Sequence, residues 1–131
     1  MIAVDTNVLV RLLVGDDAEQ AGKARQLFDR AAAERRPVWI SDTVLVELAW
    51  MLGRAYGRTR VDIVTALRAL GHNATVLLES GLAVAAATDI FEQGPADFAD
   101  CLLCAKAAAA GCDQVATFDR GMRELPAVLL L

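Results

Sequence analysis

Met1-Ile2-Ala3-Val4-Asp5-Thr6-Asn7-Val8-Leu9-Val10 opens the chain. Ile2 to Val4 reads as a short apolar strand. Asp5 stands where that strand ends, and Asn7 begins a helix that runs to about Val14 and stops at Gly15. In open parallel sheets, ligands bind beyond the carboxyl ends of the strands. A carboxylate delivered there by the first strand sets the question for the rest of the sequence.

The pattern of strand followed by helix repeats along the chain. Asp16 or Asp17 caps a helix from Ala18 to about Glu34, with Ala21, Ala24, Leu27, Phe28 and Ala31 on its inner face. Pro37 opens a second strand, Val38 to Ile40, and Ser41 caps a helix from Asp42 to about Ala55. Thr59 to Asp62 has the form of a capping box. Its helix carries Val61, Val64, Leu67 and Leu70 inward and ends at Gly71. Ala74 to Leu78 reads as a third strand. Ser80 caps a helix that stops at Gly94-Pro95, Asp97 starts a helix closed by Gly111, and Gln114 to Thr117 is a fourth strand. Pro126 to Leu131 reads as an edge strand. Strands separated by helices imply parallel pairing through crossovers. The expected fold is a three-layer α/β/α sandwich with a small, mostly parallel sheet, in one domain over residues 1–131.

Composition narrows the class. Only 5% of residues are aromatic while 56% are hydrophobic, so the core is built from Ala, Leu and Val. Arg11, Glu47 and Asp89 interrupt every apolar run before it reaches membrane-spanning length. The N-terminus lacks a basic segment ahead of its apolar stretch, so a cytoplasmic protein is expected. Cys101, Cys104 and Cys112 read as plain buried thiols. A zinc site would need two further ligands, and His72 is the one histidine. The net charge of −4 argues against a uniformly basic nucleic-acid surface. The cations are unevenly spread, however: Arg54, Arg58 and Arg60 cluster around Gly53 and Gly57, and Arg120 and Arg123 follow Asp119.

Four carboxylates occupy unexpected places, and each has an ordinary reading beside the functional one. Asp5 could cap the first helix, although Thr6 and Asn7 are also capable caps. Glu47 lies among Val44, Leu48 and Met51 on the helical wheel, which predicts burial. A buried carboxylate must be paired, protonated or metal-bound, and Arg54 is the ordinary partner. Asp97 and Asp100 have the spacing of a capping pair, with Asp97 the better cap. Asp119 could cap a short final helix, Arg120 to Glu124. Together, four such acids describe a site that gathers negative charge and therefore needs a cation.

The chemistry left by elimination is oxygen-only ligation. No Gly-rich phosphate loop is present, and no Ser-His-Asp arrangement has a local signature. Hard carboxylates favour Mg2+ or Mn2+, which activate water and clamp the oxygens of an in-line displacement at phosphorus. Asp5-Thr6-Asn7 with Val8-Leu9-Val10-Arg11, the helical Glu47, Asp97-Phe98-Ala99-Asp100 and Thr117-Phe118-Asp119 resemble, in order, a PIN domain. The finer pattern resembles the VapC-type toxins of bacterial toxin–antitoxin pairs. That resemblance implies a Mg2+- or Mn2+-dependent endoribonuclease toxin, a homodimer, and a small antitoxin whose C-terminal segment blocks the site. It implies Asp5 and Asp100 as direct metal ligands, with Glu47 and Asp119 completing the shell and Asp97 a fifth candidate. Thr6, Asn7 and Thr117 fit supporting hydrogen-bond roles, and Arg54, Arg58 and Arg60 are expected to hold the RNA backbone.

Two other readings compete. An Asp-nucleophile phosphatase also carries an acid at the end of its first strand, but it usually needs a second acid where this chain has Asn7. A PIN-like scaffold could act through partners alone, and its acids would tolerate replacement.

Overall fold

Val38 and Ile40 are completely buried and Trp39 between them is half-buried, because their strand lies in the middle of a sheet. The computed structural model describes residues 1–131, in two units, Met1–Gly81 and Leu82–Leu131. In the first unit the central strand, β2 (Val38–Ile40), pairs in parallel with β1 (Ile2–Ala3) and β3 (Val76–Leu78). Ile2 lies opposite Val38, which in turn faces Val76. The near-continuous apolar composition of β2 is what a strand covered on both faces requires.

Four helices belong to this unit: α1 (Thr6–Val14), α2 (Ala18–Ala33), α3 (Asp42–Arg54) and α4 (Arg60–His72). Their ends follow the sequence signals. Gly15 takes φ +68° and closes α1, Asp17 accepts from the Gln20 N–H, and the Ser41 hydroxyl accepts from the Val44 N–H. The α1–α2 corner is tied by Arg11, which donates to Gln20 Oε1 at 2.6 Å and to Asp16 Oδ1 at 2.8 Å. The Tyr56 hydroxyl reaches the same carboxylate at 3.3 Å.

The capping box is complete at α4: Thr59 Oγ1 accepts from the Asp62 N–H and Asp62 Oδ2 accepts from the Thr59 N–H. These bonds hold the Asp62 carboxyl below its ordinary pKa, the backbone bond from Thr59 most strongly. Thr59→Ala is expected to cost about 0.5–2 kcal/mol. The Asp62 part of the cap is present above the unfolded carboxyl pKa and is lost as pH falls through the folded one. Urea titrations of both proteins at neutral and acid pH check this.

In the second unit are α5 (Gly81–Gln93), whose first residue closes the first unit, and α6 (Phe98–Ala109). The Phe91 and Phe98 rings meet edge to face, with centroids 5.9 Å apart, which ties the two helices. A second parallel pair, β4 (Val115–Thr117) and β5 (Val128–Leu130), follows; β5 is the strand expected near the C-terminus. No helix is long and apolar enough to cross a membrane.

Several expectations are corrected. β3 begins at Val76 rather than Ala74, because Asn73 Oδ1 takes the Thr75 N–H and the Asn73 carbonyl takes the Val76 N–H in a turn. The inner face of α4 carries Ile63 with Val64, Leu67 and Leu70, while Val61 is exposed; the burial stripe starts one turn later. Leu27 is half-buried. Gly71 lies inside α4, which continues to His72. The Ser80 hydroxyl donates to Asp42 Oδ2 at 2.7 Å. Of the three thiols, Cys112 is exposed.

Candidate active site

Asp5 is the residue with extended backbone immediately before α1, so the capping task falls to it. Its Oδ1 accepts from the Asn7 N–H at 3.0 Å. Among the three candidate caps, Asp5, Thr6 and Asn7, the first serves. Both are already helical, and Thr6 is buried. Capping uses one carboxylate oxygen and fixes the direction of the other, so the two readings of Asp5 are compatible.

Glu47 is exposed, not buried as its apolar neighbours suggested. The buried stripe of α3 is Leu45, Leu48, Ala49 and Leu52, and Glu47 points away from it. Val44 and Met51 are half-buried flanks, which misled the wheel. The ion pair with Arg54 does not form. Arg54 and Arg58 are exposed, and Arg60 opens α4, half-buried.

The second unit gathers charge. Asp97 occupies the N-cap position of α6, but its side chain makes no capping hydrogen bond. The capping-pair reading of Asp97 and Asp100 is therefore not realised. Asp100 is half-buried one turn into the helix. Burial pushes its carboxyl above the ordinary range, and the Asp97 and Asp119 carboxylates push it further. The Cys104 thiol, one turn on, is raised by burial and by Asp100.

Asp119 follows β4 and caps a single 3-10 turn, Arg120–Met122, shorter than the helix expected there. It is held twice. Its own N–H donates to Thr117 Oγ1 at 2.9 Å, and its Oδ1 accepts from the Gly121 N–H at 2.8 Å. A Cβ at position 121 would meet Asp119 Oδ1 at 3.0 Å, closer than such contacts normally come. Gly121 thus belongs with the acid it supports. Sequence reading passed over it, although a glycine two residues after a strand-end acid was the available signal.

Asp97 and Asp119 thus act on Asp100 within the second unit, while Asp5 and Glu47 belong to the first. Within neither unit do three His, Cys, Asp or Glu side chains close around one point that could hold an ion. The donors are hard oxygens, and the like-charge load on Asp100 is what a divalent cation removes, so the residues fit Mg2+ or Mn2+.

A family described as PIN domain matches residues 2–128. No curated protein and no solved structure matches.

Proposed function

Since the chain belongs to the PIN-domain family, whose members are generally metal-dependent nucleases, we propose that it is an endoribonuclease and the toxin of a toxin–antitoxin pair. Six helices with small parallel sheets are consistent with the α/β/α fold of that family. The observation that carries the reading is the family match over residues 2–128, in a chain whose acids follow β1 and β4 and open α6. Negative charge concentrated on a half-buried acid is costly unless a cation shares it.

In this reading Asp5 and Asp100 would hold Mg2+ or Mn2+ directly, with Glu47 and Asp119 completing the set. A bound ion would supply Lewis-acid chemistry, lowering the pKa of water and neutralising charge on the phosphate. The Thr117 hydroxyl and the Gly121 N–H keep Asp119 in one orientation. Thr6 and Asn7 hold the first turn of α1, which orients Asp5. Arg54, Arg58 and Arg60 bind the RNA backbone. In-line displacement then leaves a 5′-phosphate and a 3′-hydroxyl.

A homodimer and a small antitoxin are the proposed partners. Supporting the second is a groove on the first unit, about 250 Å3 and mostly apolar, lined by Asn7, Val8, Arg11, Ala24 and Leu27. The acid at Asp5 lies two residues from its rim.

Cleavage of total RNA by the purified protein tests the function. Activity is expected with Mn2+ or Mg2+, none in excess chelator, and 5′-phosphate ends on the products. Cleavage that persists in chelator removes the metal-dependent reading, and no cleavage under any condition leaves a scaffold.

A further inference from the structure

The protein has two Trp, one Tyr and four Phe, and their exposure is uneven. Phe28, Phe91 and Phe98 are buried, and Trp39 and Tyr56 are half-buried. Trp50 is 62% exposed and Phe118 81% exposed. Each of these two lies beside a carboxylate of the proposed site. Trp50 is one turn after Glu47 on the outer face of α3, and Phe118 immediately precedes Asp119. Each also has an exposed guanidinium close in sequence, Arg54 one turn beyond Trp50 and Arg120 two residues beyond Phe118.

Leaving a large ring in water forgoes its burial energy, roughly 1.5–3 kcal/mol for a side chain of this class. An aromatic face with a cation at hand is the arrangement that unpaired nucleobases use: the ring stacks on the base and the cation meets the phosphate. We infer that Trp50 and Phe118 are base-stacking platforms that position bound RNA. This rests on the nuclease reading for its choice of ligand. A paired base is already stacked on its neighbours and has no free face, so each ring can engage only an unpaired base. Stacking accepts any base, which makes them positioning residues for the phosphate rather than readers of sequence.

The test measures binding of a fluorescent unpaired RNA octamer, and of a duplex of the same length, to the full chain. Asp100→Asn is the background, to prevent cleavage. Trp50→Ala and Phe118→Ala are each expected to weaken octamer binding roughly 5- to 150-fold. Trp50→Phe is expected to keep most of it, and duplex binding is expected to change little. Light scattering on every variant reports the oligomeric state. Unchanged octamer binding in both alanine variants overturns the inference. So does a loss that appears only where an oligomer dissociates, which makes the Trp50 face a contact between copies of this chain. Wild-type protein that cuts no RNA, but whose octamer binding still depends on both rings, leaves this inference standing and removes the nuclease reading alone.

Discussion

Asp100→Asn is expected to abolish RNA cleavage while the protein remains folded. Replacing outer-shell partners of a metal ligand typically costs 10- to 100-fold, so loss of a direct ligand should exceed about 100-fold. Asn keeps the shape and one oxygen but removes the charge. A variant with wild-type turnover would sink the assignment. A second signature comes from the pH dependence of the metal-free protein. Burial, then Asp97 and Asp119, raise the folded carboxyl of Asp100 above its unfolded value. A raised carboxyl contributes stability below the unfolded pKa, and that contribution is lost as pH rises through the folded one. In chelator, therefore, wild type should lose stability relative to Asp100→Asn as pH climbs through the carboxylate range, with no further change by neutrality. Adding Mn2+ should reverse the sign. At a concentration one hundred times its Kd, a ligand bound only by the folded state stabilises by about 2.7 kcal/mol. Thermal melts of both proteins, with chelator and with Mn2+, separate these effects.

Leu48→Ala should strip the protein of a large part of its stability. Leu48 is fully buried on the inner stripe of α3, in the unit whose completely buried side chains include Leu9, Val38 and Ile40. Truncation there removes the transfer energy of the lost methyl groups and leaves a cavity, together about 2–5 kcal/mol. Domains of this size have a total stability of about 5–15 kcal/mol, so the variant should lose a large part of it. Urea denaturation should show a lower midpoint at unchanged slope. Glu47, the preceding residue, lies on the opposite face and is exposed. Glu47→Gln should therefore change stability by less than about 0.5 kcal/mol while reducing cleavage. If the two substitutions behaved alike, the division of α3 into a packing face and a chemical face would be wrong.

The local devices were legible in the chain. Ser41 before α3, Thr59 with Asp62 at α4 and Gly15 after α1 act through bonds between residues a few positions apart, so sequence suffices to place them. The same holds for β2, where an apolar run bounded by Pro37 and Ser41 has few alternatives. Glu47 shows the limit. Its helix is apolar around most of its circumference, and only the neighbouring elements decide which stripe is covered. Asp5 and Asp97 show it again: both occupy N-cap positions, yet one carboxylate caps and the other does not.

The sequence by itself determined the order of strands and helices, their caps, and the acids that end β1 and β4 or begin α6. Period, turn chemistry and capping are properties of short segments, and they survive without the rest of the molecule. Tertiary structure decided burial and mutual charge. It turned Glu47 and Trp50 to the surface and brought Asp119 to bear on Asp100. Solvent exposure and Coulomb interaction depend on distance through space, and distance along the chain does not supply it.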